Sequence, residues 1–112
     1  MAYSGAVIFV ETPSFTRRWD DYFDDDQYSL LQAALMACPD AGDVIRGSGG
    51  LRKVRWAVEA KGKRGGLRII YYWMKSRTHI YFLTVYRKSE VTDLSSADVK
   101  VLREIVKQID GE

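Results

Sequence analysis

With one histidine, His79, and one cysteine, Cys38, the chain has too little of either residue for a two-histidine acid–base pair, a zinc site or an internal disulfide. A thiol left unpaired fits a reducing cytoplasm, and its place in an apolar helical pattern predicts that it is buried. The longest apolar runs, Ala6–Val10 and Ile69–Met74, fall far short of the ~20 residues of a membrane span, so no membrane association is expected. The start lacks a basic region followed by an apolar stretch and a small-residue cleavage site, so no signal peptide is expected. KGKRGG lacks the spacing of a nucleotide-binding P-loop. The acid run Asp24–Asp26 could attract a hard cation, but the start of a helix explains it more simply. No metal and no cofactor are expected.

What is present is charge, and it is sorted along the chain. Residues 1–45 carry Arg17 and Arg18 against eight acids, a net −6. Residues 46–90 carry twelve Lys and Arg against Glu59 and Glu90, a net +10, and residues 91–112 return to −2. A basic middle between acidic ends points to a polyanionic partner, although Lys-rich sheet edges also arise as protection against aggregation. At 112 residues, 46% hydrophobic and 29% charged, the composition fits one globular domain over residues 1–112.

Periodicity gives the elements. AVIFVE (6–11) reads as a strand, and Pro13 and Ser14 open a helix with Phe15, Trp19 and Phe23 on one face. Asp24–Asp26 start a second helix with Tyr28, Leu31, Leu35 and Cys38 as its buried stripe, widened by Leu30 and Ala34 and ended by Pro39. Residues 40–50 read as loop. LRKVRWAV (51–58) alternates, with Val54, Trp56 and Val58 opposite Lys53 and Arg55. EAKGKRGG (59–66) reads as a connecting loop whose glycines allow positive φ. Residues 67–74 and 79–86 are strands apolar on both faces, as strands covered on two sides are. Ser95, with Asp98 three residues on, caps a last helix with Leu102, Ile105, Val106 and Ile109 inward. The expected fold is α+β: a small, mostly antiparallel sheet packed on an N-terminal helical hairpin, with a C-terminal helix.

Cations and tyrosines on a sheet can cleave RNA without histidine. The ribose 2′-OH already lies beside the scissile phosphate. The protein has to align it, move its proton, stabilise the phosphorane and protonate the leaving O5′. Arg binds phosphate bidentately, Lys transfers protons once neighbouring cations lower its pKa, and Tyr stacks bases.

The pattern GDVI-x-G-x-GGLRK-x-R (42–55), followed by GKRGG-x-RIIYY (62–72) and YFLTVYRKSEVTDLS (81–95), resembles the RelE/ParE superfamily of bacterial toxins, most closely its HigB branch. The resemblance implies a RelE-like α+β toxin of a type II toxin–antitoxin system, a metal-independent endoribonuclease that cuts mRNA in the ribosomal A site. It also implies a cognate antitoxin partner, of helix-turn-helix type. Relatives that inhibit gyrase, or that bind a partner without catalysis, are the alternative. By position, the resemblance implies Lys53, Arg68, Tyr86 and Lys88 as catalytic. Arg55, Lys61, Lys63, Arg64 and Arg87 follow as RNA-binding, with Arg87 and Lys88 interchangeable as the last-strand cation. SEVTDL lacks the late tyrosine of some relatives, and Tyr86 stands in for it. Strand alternation sets Phe82, Thr84 and Tyr86 on one face and Leu83, Val85 and Arg87 on the other. A shared face for Lys53, Arg68 and Tyr86 would make one patch. Otherwise Arg68, between Leu67 and Ile69, needs an acidic partner such as Glu59 or Glu90.

Overall fold

The computed structural model describes residues 7–60, 63–90 and 94–110, without the side chains of 58–60, 63–65, 77 and 110. The chain runs β1 (Ile8–Glu11), α1 (Pro13–Arg18) with a 3₁₀ turn at Trp19–Asp21, α2 (Asp25–Ala37), β2 (Asp43–Val44), β3 (Leu51–Ala60), β4 (Lys63–Met74), β5 (His79–Arg87) and α3 (Ser96–Asp110). The strands form one sheet in the order β1-β5-β4-β3-β2, antiparallel except for β1, which lies parallel to β5. The α+β expectation holds. None of the described helices is long and apolar enough to cross a membrane.

Two apolar layers sandwich the sheet. On one face Phe15 of α1 and Tyr28, Leu31 and Leu35 of α2 pack on Leu67, Ile69, Tyr71, Ile80, Phe82 and Val85. Phe15 stacks on Phe82 at 4.7 Å between ring centroids, and Phe9 of β1 stacks at 5.6 Å. On the other face Leu102 and Val106 of α3 pack on Leu51, Ile70, Leu83 and Tyr86. The helix starts use the expected signals. Asp24 and Gln27 form a capping box at α2, and Ser95 and Asp98 exchange bonds of 3.0 and 3.2 Å at α3. The Asp24–Asp26 run is therefore a cap and a first turn.

Three expectations are corrected. The α2 stripe is narrower than expected: Leu30 is exposed, and so is Cys38, because the chain leaves the helix there (φ −144°, ψ 81°) and rotates the thiol off the Tyr28–Leu31–Leu35 stripe. The Cys38 Sγ donates to Asp40 Oδ1 at 3.1 Å, which raises the thiol pKa and lowers that of the carboxyl. The β3–β4 hairpin is longer than the alternation suggested: Ala60 pairs with Lys63 and Ala57 with Gly66, so Gly65 and Gly66 belong to the strand. Among the described glycines positive φ is adopted by Gly47, Gly49 and Gly50 (72°, 75° and 107°) in the turn before β3, while Gly62 lies outside the described residues. Buried Ser48 holds that turn by accepting from Leu51 N at 3.0 Å.

The third correction is to β5. Tyr71 pairs with Phe82 but Ile70 pairs with Thr84, so Leu83 is the extra residue of a β-bulge. Thr12 N and Oγ1 lie 3.1 and 3.0 Å from Phe82 O, with Oγ1 also 3.1 Å from Leu83 O, and so hold the bulge from β1's end. The bulge breaks the alternation: Phe82 and Val85 both face α1 and α2, while Leu83 and Tyr86 both face α3.

Tyr71 ties the α2–β2 connection to the core. Its buried hydroxyl donates to Pro39 O at 2.7 Å and accepts from Gly42 N at 2.9 Å. A Cβ at Gly42 would stand 2.9 Å from Tyr71 Cε1, so the glycine is there for clearance. Tyr71→Phe leaves a buried carbonyl and N–H unmatched and is expected to lower stability by about 1–3 kcal/mol. Urea unfolding at unchanged m-value checks this. A loss below ~0.5 kcal/mol would mean that water replaces the hydroxyl.

Candidate nucleic-acid interface

Register decides which cations meet. Arg55 of β3 stands directly opposite Arg68 of β4, which stands directly opposite Tyr86 of β5. Two pairs further along, Lys53 faces Ile70, which faces Thr84. Directly paired residues share a face, and Ile70 and Tyr86 belong to the layer under α3. Lys53, Arg55, Arg68 and Tyr86 are thus on one face, the same side as α3. The bulge makes this so: without the extra residue at Leu83, Tyr86 would turn toward α1 and α2.

The row sets two guanidinium stems roughly 4.5–5.5 Å apart at their Cβ atoms, an arrangement of like charges that disfavours the sheet on its own. Arg68 is 8% exposed. Its Nη1 donates to Leu67 O at 3.3 Å, and among the described residues no carboxylate pairs with it. The Glu90 option is closed, since that carboxylate takes Arg87 at 3.5 Å; the side chain of Glu59 lies outside the described residues. Arg68 Nη1 reaches over exposed Gly66, where a Cβ would come within 3.0 Å. The second glycine of KRGG thus keeps the guanidinium edge open. Gly66→Val is expected to push that edge aside and lower any phosphate chemistry here about a hundredfold, as ångström-scale misplacement does. Melting should change little, because the atom displaced is the end of a flexible side chain. Unaltered activity would show that Arg68 works in another rotamer.

The other candidates separate. Arg87 pairs opposite Leu67 and so lies on the α1–α2 side, its guanidinium 5.6 Å from the centre of the Tyr22 ring. The Tyr22 hydroxyl pKa is raised, chiefly by burial and then by Glu90. Lys88 is exposed just past β5, its N–H bonded to Gly66 O at 3.1 Å, which extends the ladder toward the Arg68 side. Tyr86 is 5% exposed against α3, so its ring has no face open to a base. Lys61 and the side chains of Lys63 and Arg64 lie outside the described residues. Arg52, on the face opposite Lys53, is used structurally, donating to Gly42 O at 2.8 Å.

Beside the row an open groove of about 1110 Å³ runs between β2, β3 and the first turns of α3. Arg46, Lys53, Arg55, Lys100 and Arg103 line it against one acid, Asp43, which pairs opposite Lys53 across β2–β3. Arg46, Lys100 and Arg103 were not singled out from the sequence. The i,i+3 spacing of Lys100 and Arg103, offset from the Leu102–Val106 stripe, was the signal available.

Comparison with known proteins agrees with this architecture. Residues 14–111 match the family model described as the RelE toxin of the RelE / RelB toxin–antitoxin system. The chain belongs to the RelE toxin family. Its fold is similar to that of an E. coli RelE mutant in the free state (TM-score 0.57, 15% identity, covering 97% of this chain and 99% of that one). It is also similar to a chain of the intact E. coli RelBE toxin–antitoxin complex (TM-score 0.52, 14% identity, covering 71% and 94%). At such identities these likenesses speak for the RelE fold alone.

Proposed function

We propose that this RelE-family toxin is a ribosome-dependent mRNA endonuclease of the HigB branch, held inactive by a cognate antitoxin of helix-turn-helix type and acting in the cytoplasm. The observation that carries the reading is the Arg55–Arg68–Tyr86 row: two permanently charged donors set face to face, an arrangement that an anion between them would stabilise. In the proposed step, which uses no metal ion, the 2′-oxygen forms a bond to phosphorus as the P–O5′ bond breaks. The 2′ proton passes to a base and a proton is delivered to O5′, leaving a 2′,3′-cyclic phosphate and a 5′-hydroxyl. Arg68 stabilises the phosphorane, Arg55 holds a non-bridging oxygen, and Lys53 or Lys88 moves protons. Tyr86, buried at the end of the row, acts by positioning Arg68. Lys61, Lys63 and Arg64 grip ribosomal RNA from the hairpin tip, and Arg87, on the opposite face, makes a second contact.

Brief expression without an antitoxin should stop amino-acid incorporation before DNA synthesis falls, and mRNA ends should map to positions within translated codons. DNA synthesis falling first, with intact mRNA, would replace this reading with gyrase inhibition.

A further inference from the structure

We propose that the first turns of α3 form the outer wall of the substrate channel, with Lys100, Arg103 and Arg46 gripping the sugar–phosphate backbone of the mRNA strand beside the cleaved linkage. This rests on the endonuclease reading and adds three residues and a substrate path to it. The helix sorts its charges. Asp98 is turned to its own N-terminus, where it accepts from Ser95 N, and Glu104 pairs with Lys107 at 3.3 Å. Lys100 and Arg103 instead face the groove, and among the described residues neither has an acidic partner. Across from them stand Lys53 and Arg55, so cations line both walls of one open channel whose end meets the Arg55–Arg68 row.

Arg103 is exposed, and its stem passes Gly49, where a Cβ would stand 3.5 Å from Cγ and 3.6 Å from Nε. The bare glycine, at a φ of 75°, leaves room around the stem for the guanidinium to turn to a phosphate in the groove. Between the cations the lining is mainly aliphatic, with Val44, Ile45, Leu94 and Val99. Bases can lie against such a surface without being read, so this part of the channel grips any sequence. A single strand is the fitting occupant, because in-line attack needs a ribose–phosphate unit free of helical constraint.

The test uses the whole toxin on ribosomes programmed with a defined mRNA, in single turnover. Lys100→Ala/Arg103→Ala should raise the half-saturating toxin concentration about tenfold or more, with the rate at saturation within about threefold. The log–log salt slope should flatten by roughly 0.7 for each lost phosphate contact. Arg103→Lys in the Lys100 background should keep most of the affinity, since charge is what is required. Lys75→Ala/Lys107→Ala removes the same charge outside the groove and should leave half-saturation near wild type. Uncharged methylphosphonate linkages beside the cleaved bond should weaken wild type and leave the Lys100/Arg103 variant unaltered. Equal losses in the two double variants, or methylphosphonate effects that simply add, would overturn the mRNA channel. The latter would assign the contact to ribosomal RNA. A wild-type toxin that cuts nothing would instead overturn the endonuclease reading.

Discussion

Arg68→Ala should lower mRNA cleavage on ribosomes roughly a few hundredfold, equivalent to the ~3–4 kcal/mol that one preorganised donor contributes to a developing oxyanion. Melting temperature should stay level or rise. The directions differ because Arg68 is a nine-tenths buried cation directly opposite Arg55, and its Nη1 donates only sideways, to the neighbouring carbonyl of Leu67. Desolvation and like-charge opposition both weigh against the folded state, and truncation to alanine relieves both. The ligand is what makes the arrangement favourable, which is how a residue kept for function differs from one kept for stability. Arg68→Lys should recover little cleavage, because a single ammonium cannot reproduce the planar fork. Antitoxin affinity of the alanine variant should stay near normal. Lost cleavage together with a collapsed melting temperature would mark Arg68 as half of a structural ion pair, with Glu59 the candidate partner. Full cleavage would remove it from the site.

Much of this arrangement was legible from local pattern. Lys53 and Arg55 alternate with Val54 and Trp56, and the latter two pack with the α1–α2 layer. Arg68 interrupts an apolar strand, and Ser95 and Asp98 announce α3. These signals depend on neighbours two to four residues away, and the chain obeys them. What was not legible depends on distant partners. The parallel pairing of β1 with β5 and the two-residue strand β2 leave no periodic trace. The glycines of KRGG suggested a turn, yet Gly66 is a strand residue that clears space for Arg68 Nη1. Cys38 fits a helical stripe by spacing, but Pro39 ends the helix and the stripe loses its last member. Lys100 and Arg103 lie off the apolar stripe of α3, and only the packing of α3 across β3 turns them into a wall.

The bulge in β5 is the largest departure from pattern, and paired substitutions test it. Leu83 and Val85 would share a face in an unbroken strand, so trimming either should loosen the same helix. In the structure Leu83 belongs to the layer with Leu102 and Val106, whereas Val85 belongs with Phe15 and Leu31. Leu83→Ala should cost about 2–5 kcal/mol through a cavity under α3. Val85→Ala should cost about 1.5–3 kcal/mol on the other side. Native-state hydrogen exchange separates the two. Leu83→Ala should speed exchange of α3 amides more than those of α2, and Val85→Ala should do the reverse. Cleavage should suffer more from Leu83→Ala, because a loosened α3 leaves Tyr86 and the end of the Arg55–Arg68 row unsupported. Matching exchange patterns for both variants would mean that β5 runs without a bulge. Tyr86 would then face α1 and α2, and the row would lose its third member.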